Sequence, residues 1–182
     1  MSRVDANAPN VPPAPPTALE LEALRARWAD RPLPELVEHI LATYHRDLVE
    51  RVPRLRAQLD AVAHAHESLT APTAAVRDAL GVLAEDLEDH LMKEERLLFP
   101  GILTHNVIMA GRPLDVMKRE HTRVLGVARQ MRERVYGMVT PLEAREVWDA
   151  LAVELLTLER LLVEHIFLED EVLFPRFARA MR

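Results

Sequence analysis

Apolar positions recur along this chain at spacings of three and four, the pattern of helices that turn one face to a core. The first such stretch is short. Thr17-Ala18-Leu19-Glu20 has the form of a capping box, and Leu21, Leu24 and Trp28 follow at helical spacing, predicting a helix over about 18–29. Arg31-Pro32-Leu33-Pro34 ends it and starts the next. A long helix is then expected from about 34 into the low 60s. Leu36, Ile40, Leu41, Leu48, Val49, Val52, Leu55 and Leu59 supply its inward face, and Pro53 is expected to kink it. After a loop around 68–72, a second long helix is expected over about 73–104, bent or interrupted near its end by Pro100-Gly101. Gly111-Arg112-Pro113 reads as a turn that places Pro113 at the first position of a third helix, 113–136, ended by Gly137. Thr140-Pro141-Leu142-Glu143, another capping box, opens a fourth that continues to about 180. Four long amphipathic helices with short connections predict an all-α fold, an antiparallel up-down-up-down four-helix bundle preceded by one short extra helix. The expected divisions are a disordered Pro-rich tail at 1–16, the short N-terminal helix at 17–31 and the bundle at 32–182.

One stretch inside this pattern is written twice. His90-Leu91-Met92-Lys93-Glu94-Glu95-Arg96-Leu97-Leu98-Phe99-Pro100 and His165-Ile166-Phe167-Leu168-Glu169-Asp170-Glu171-Val172-Leu173-Phe174-Pro175 both read His-x3-Glu-x4-Phe-Pro. Positions four apart share a helix face, so each copy aims an imidazole and a carboxylate together. Leu83 and Leu87 lie seven and three residues before His90, and Leu158 and Leu162 stand in the same places before His165. Leu97 and Val172 follow seven residues after, so the face is expected to be interior. A His/Glu pair within an apolar stripe is costly to desolvate unless something binds it.

A second regularity joins the first. His45 precedes His90 by 45 residues and His121 precedes His165 by 44. His45 shares its face with Leu41, Leu48 and Val49, and His121 shares its own with Leu114, Met117, Val124 and Leu125. Each half of the chain is therefore a helix with one His followed by a helix with His-x3-Glu. Two such halves, packed antiparallel about a pseudo-twofold axis, bring four imidazoles and two carboxylates to one level of the core. That is an inventory for two metal ions, with the carboxylates as bridges and His ligands from the walls. Nitrogen and oxygen donors without sulfur suit Fe or Mn, with Zn an alternative. The plain reading of any one of these residues is a hydrogen-bonded core His or a surface helical pair. The matched repetition argues against it.

Composition narrows the classes. The 182 residues suffice for one domain with a real core, and 49% hydrophobic against 29% charged residues with five Gly point to a soluble, mostly helical protein. A net charge of −6 argues against a nucleic-acid-binding surface. No run is long and apolar enough to span a membrane, and the N-terminus lacks the apolar segment of a secretory signal. The absence of cysteine excludes disulfides, thiolate nucleophiles and cysteine-held zinc or iron–sulfur sites. Together these fit a cytoplasmic protein. His66, 21 residues past His45, would lie about 31 Å along a continuous helix, so it and His64 are excluded from the site. His39 reads as surface, and His105 as a cation near a helix C-terminus. Glu120 and Asp86 read either as partners of the site or as solvated acids. Glu85, Glu88, Asp89, Glu164, Asp170 and Glu171 read as solvated faces.

On these residues the chain is similar to the hemerythrin-like (HHE cation-binding) family, and within it to the repair-of-iron-centres di-iron proteins. The matching segments are 38–45, 90–100, 116–121 and 165–176, and the similarity covers about 33–178. The resemblance implies a non-haem di-iron centre with His45, His90, His121 and His165 as terminal ligands, Glu94 and Glu169 bridging the two iron ions, and an oxo bridge. It implies reaction with nitric oxide, dioxygen or peroxide, protecting or helping to restore iron–sulfur clusters under nitrosative or oxidative stress, with iron–sulfur proteins as partners. Long members of that group begin with a small domain carrying a paired-cysteine motif, where this sequence has a Pro-rich stretch and no cysteine. An external electron donor is expected. The other function the resemblance implies is a hemerythrin-type dioxygen-binding carrier or sensor. Classical hemerythrins use a fifth His, for which this sequence offers no evident position.

Overall fold

The computed structural model describes residues 15–137 and 142–180. Among them every regular element is helical, in the order expected. Helix α1, Ala18–Trp28, starts at the predicted capping box. The Thr17 hydroxyl accepts from the Glu20 N–H, and the Glu20 carboxylate accepts from the Thr17 N–H at 2.7 Å. Helix α2 spans 33–65, with Pro34 in its first turn, and continues through Pro53. Helix α3 spans 70–103, α4 is Val107–Tyr136 and α5 spans 145–180. The tail expected at residues 1–14 and the capping box at Thr140-Pro141 lie outside the described residues.

Each of α2 to α5 packs on its neighbour in sequence, and α2 closes the ring against α5. This is the four-helix bundle, with α1 laid across the outside of α5. One contiguous core runs through it, from Leu36, Ile40 and Leu48 on α2 to Leu155, Leu158 and Leu162 on α5. Trp148 pins the start of α5 to the end of α4 by donating from its indole N–H to the Val135 carbonyl.

Four readings from the pattern change. Helix α4 begins six residues earlier than expected, because the Asn106 side chain caps it by accepting from the Met109 N–H. The Gly111-Arg112-Pro113 stretch therefore lies inside a helix rather than in a turn. Gly101 earns its place differently from the break assigned to it: a Cβ there would sit 2.9 Å from the Ala110 backbone nitrogen, so the tight approach of α3 to α4 needs glycine. Val49 is 61% exposed and Leu97 46% exposed, although both were placed inward.

For Val49 the error has a local cause, a wide turn just before it. Helices α2, α3 and α5 each contain one wide π turn, at Leu41–His45, Glu94–Leu98 and Glu169–Leu173. Such a turn adds a residue and rotates everything beyond it relative to an ideal helix. In the two repeats the turn ends directly before Phe-Pro, where the Phe99 and Phe174 N–H groups reach back five residues to Glu94 and Glu169. Pro100 and Pro175 lack an N–H and would crowd the carbonyl four residues back, and a wider turn relieves both problems.

Candidate metal centre

The six sequence-predicted side chains meet in the middle of the bundle. His45 ends the π turn of α2, Glu94 and Glu169 open those of α3 and α5, and His90, His121 and His165 lie on regular helix. All six are buried. They form two groups of four, His45/His165 and His90/His121, each with both glutamates, and in each group the possible ligand atoms lie within 4.8 Å of one another.

Each glutamate spans both groups. Glu94 places Oε2 3.5 Å from His45 Nε2 and Oε1 3.3 Å from His90 Nε2. Glu169 places Oε1 3.1 Å from His165 Nε2 and Oε2 3.1 Å from His121 Nε2. Within each pair the imidazoles point nitrogen to nitrogen: His45 Nε2 is 3.2 Å from His165 Nε2, and His90 Nε2 is 3.2 Å from His121 Nε2.

The outer nitrogens explain what those inner ones carry. His45 Nδ1 lies 2.9 Å from Glu95, His90 Nδ1 3.1 Å from Glu120 and His121 Nδ1 3.1 Å from Asp170. An ionised carboxylate only accepts, so these Nδ1 atoms hold the proton and donate it. In the neutral His45 and His90 rings Nε2 is then a bare lone pair, aimed at the facing imidazole and at carboxylate oxygens. All four oxygens of Glu94 and Glu169 are buried without a hydrogen-bond partner. Buried acceptors facing acceptors repel unless positive charge lies between them. The donor set fits a pair of cations, and its chemistry (imidazole and carboxylate, no sulfur) is that of first-row metal sites.

The protein groups alone titrate far from their ordinary values. Burial, with His165 close by, pushes His45 down to about 4, and burial with His121 and His165 nearby does the same for His90. Burial would also lower His121, but Asp170, Glu169 and Glu94 outweigh it and push this group up to about 11. Burial and the facing Glu169 push Glu94 well up. At Glu169 burial is outweighed by His165 and His121, which hold it well below the usual range.

The rings are also gripped by aromatic neighbours. Phe174 stacks on His121 at 6.1 Å and Phe99 lies tilted 5.6 Å from His45, so the Phe-Pro ends of the repeats wall the site. Tyr44 stacks on His165 at 5.9 Å and sends its hydroxyl to Glu164 at 3.4 Å.

Other residues fall elsewhere than expected. Asp170, read as solvated, holds His121, and Glu95 and Tyr44 belong to the site without having been singled out. Glu120 reaches His90 and is itself held by Lys93 at 2.6 Å, whereas Asp86 pairs with Arg123. His39 is half-buried, stacked on Trp28 at 4.5 Å, not at the surface. His66 caps the end of α2 and belongs to neither group. The acids next to a ligand in sequence were findable in principle: on a helix, the neighbour of an inward residue reaches past it to the adjoining helix.

A model of the hemerythrin HHE cation-binding domain matches residues 36–177, and the chain belongs to that family. Among its relatives, the iron–sulfur cluster repair protein YtfE of Cronobacter sakazakii is 35% identical over 159 residues, 87% of this chain and 72% of that protein. The proteins of the same name from Escherichia coli O1:K1 and Escherichia fergusonii are each 34% identical over 149 residues, 82% of this chain and 68% of theirs. No helix among the described residues is long and apolar enough to cross a membrane.

Proposed function

We propose that this chain holds two non-haem iron ions, one between His45 and His165 and one between His90 and His121, with Glu94 and Glu169 shared by both. The protein uses them against nitric oxide or oxygen species, protecting or helping to restore iron–sulfur clusters in the cytoplasm. Bound iron would supply one-electron chemistry and open coordination positions for a small diatomic ligand. The chain's own part is to fix the donors and keep water away. Glu95, Glu120 and Asp170 lock three imidazoles with Nε2 inward, and Phe99, Phe174 and Tyr44 exclude solvent. The observation that carries the metal reading is the pair of 3.2 Å Nε2–Nε2 contacts flanked by carboxylate oxygens with no partner. The likeness to iron–sulfur cluster repair proteins supports cluster repair as the process. With no cysteine in the sequence, electrons would come from an external donor.

The test is reactivation. An iron–sulfur dehydratase inactivated by nitric oxide is incubated with the iron-loaded chain, a thiol and a reductant. Recovery of its activity, lost when Glu94→Leu protein is used, is expected. No recovery, together with dioxygen uptake that reverses on evacuation, would make the chain a hemerythrin-type carrier or sensor instead.

A further inference from the structure

The two halves of the chain repeat each other, so the anchors of the four imidazoles ought to repeat as well. Two of them do. Glu95 follows bridging Glu94 and holds His45; Asp170 follows bridging Glu169 and holds His121. The other pair breaks. Glu120, directly before His121, holds His90, but the residue directly before His45 is Tyr44. Its ring lies nearly parallel to His165, at 14°, and its hydroxyl turns away to Glu164. His165 Nδ1 is consequently buried with no hydrogen-bond partner.

We infer that the two metal positions are unequal, and that the His45/His165 position is the one that yields its ion first. The inference rests on the two-ion reading above and adds an order of release to it. At the His90/His121 position both rings are anchored by carboxylates, one of them pinned in turn by Lys93. At the His45/His165 position one ring is anchored, through a Glu95 side chain that is 48% exposed and open to competition from water, and the other is not anchored at all. A carboxylate on the outer nitrogen makes the inner one a stronger donor and removes ring rotation that binding would otherwise have to freeze. It also takes up the positive character that a bound cation induces at Nδ1–H, which at His165 meets nothing. Losing such a partner typically weakens metal affinity by about 10- to 100-fold.

The test is chelator competition on full-length protein loaded anaerobically with two ferrous ions per chain, monitored by the colour of the chelate. Wild type should release its ions in two steps separated by about tenfold or more in chelator concentration. Glu120→Gln removes an anchor from the tighter position and should draw the second step towards the first, leaving the first in place. Asp170→Asn should act in the same way, which covers the case of one variant folding poorly. Tyr44→Phe, which keeps the stack and adds no acceptor, should leave the two steps as far apart as in wild type. Release of both ions in a single step from wild type overturns the inference, as does a Glu120→Gln protein whose first step moves instead of its second. Failure to take up two ions at all is a different result: it overturns the metal reading beneath.

Discussion

The two copies of His-x3-Glu-x4-Phe-Pro present the same inner face and opposite outer ones. In both, the His, the Glu and the Phe are buried and the wide turn begins at the Glu. In the first copy Met92, Glu95, Arg96 and Leu97 face solvent. In the second α1 covers the equivalent surface: Arg25 lies over the Phe167 ring and reaches Glu171 at 3.1 Å, while Arg176 donates to the Trp28 and Arg31 carbonyls. Val172 is 1% exposed where its counterpart Leu97 is 46% exposed. Two lessons follow from this difference. The inner pattern is set by the demands of the site, and the outer pattern by whatever packs there.

The largest effect should come from the inner face. Glu94→Leu and Glu169→Leu each remove a carboxylate that touches both imidazole pairs, so each should drop metal content from two ions per chain to below one, by elemental analysis of purified protein. Equal losses from copies with unlike surroundings would sharpen the comparison; a variant that keeps both ions would break it. Next in size is demetallation. A cation present at about a thousand times its Kd stabilises the fold by about 4 kcal/mol, so the metal-free protein should melt on the order of 10 °C lower. Identical melting curves would mean that the polar layer satisfies itself.

The outer faces separate at smaller energies. Val172→Ala should cost about 2 kcal/mol in urea denaturation, as a buried valine does, whereas Leu97→Ala should stay within about 0.5 kcal/mol. Equal costs would show that α1 does not shield the second copy. The smallest effect is at the α1 contact itself. Burial, and then Arg27 and Arg31, lower the pKa of His39, which stacks on Trp28. A group with a lowered folded pKa contributes fully above its unfolded value of about 6.5 and loses that contribution as pH falls through it. Metal-loaded wild type should therefore lose slightly more stability between pH 7.5 and 5.5 than His39→Gln, read from the tryptophan fluorescence melt. A His39→Gln protein with the same pH dependence would remove His39 from the contact.

Helical spacing made the bundle legible, because a period of 3.6 over 20 to 30 residues leaves little choice of face. It also made the convergence of the six side chains legible, because a His and a Glu four apart share that face in any helix. The wide turns were not legible in the same way. In the two repeats their cause, a proline six residues past each glutamate, is visible, but its consequence depends on a ring packing against a carbonyl. Val49 was misplaced because it lies beyond such a turn, and Leu97 because α1 covers the second copy and not the first. The anchors were hidden for another: Glu95, Glu120 and Asp170 act across helices, so their partners appear only once helices are neighbours. Glu120 stood out as a candidate because it abuts a histidine; Asp170, amid other acids, did not.

Two ions held between facing imidazoles are tested most directly by anomalous diffraction at the iron edge from crystals of the iron-loaded protein. The predicted map has two peaks, one between His45 and His165 and one between His90 and His121, with Glu94 and Glu169 touching both. A single peak, or peaks seated away from these six residues, would contradict it.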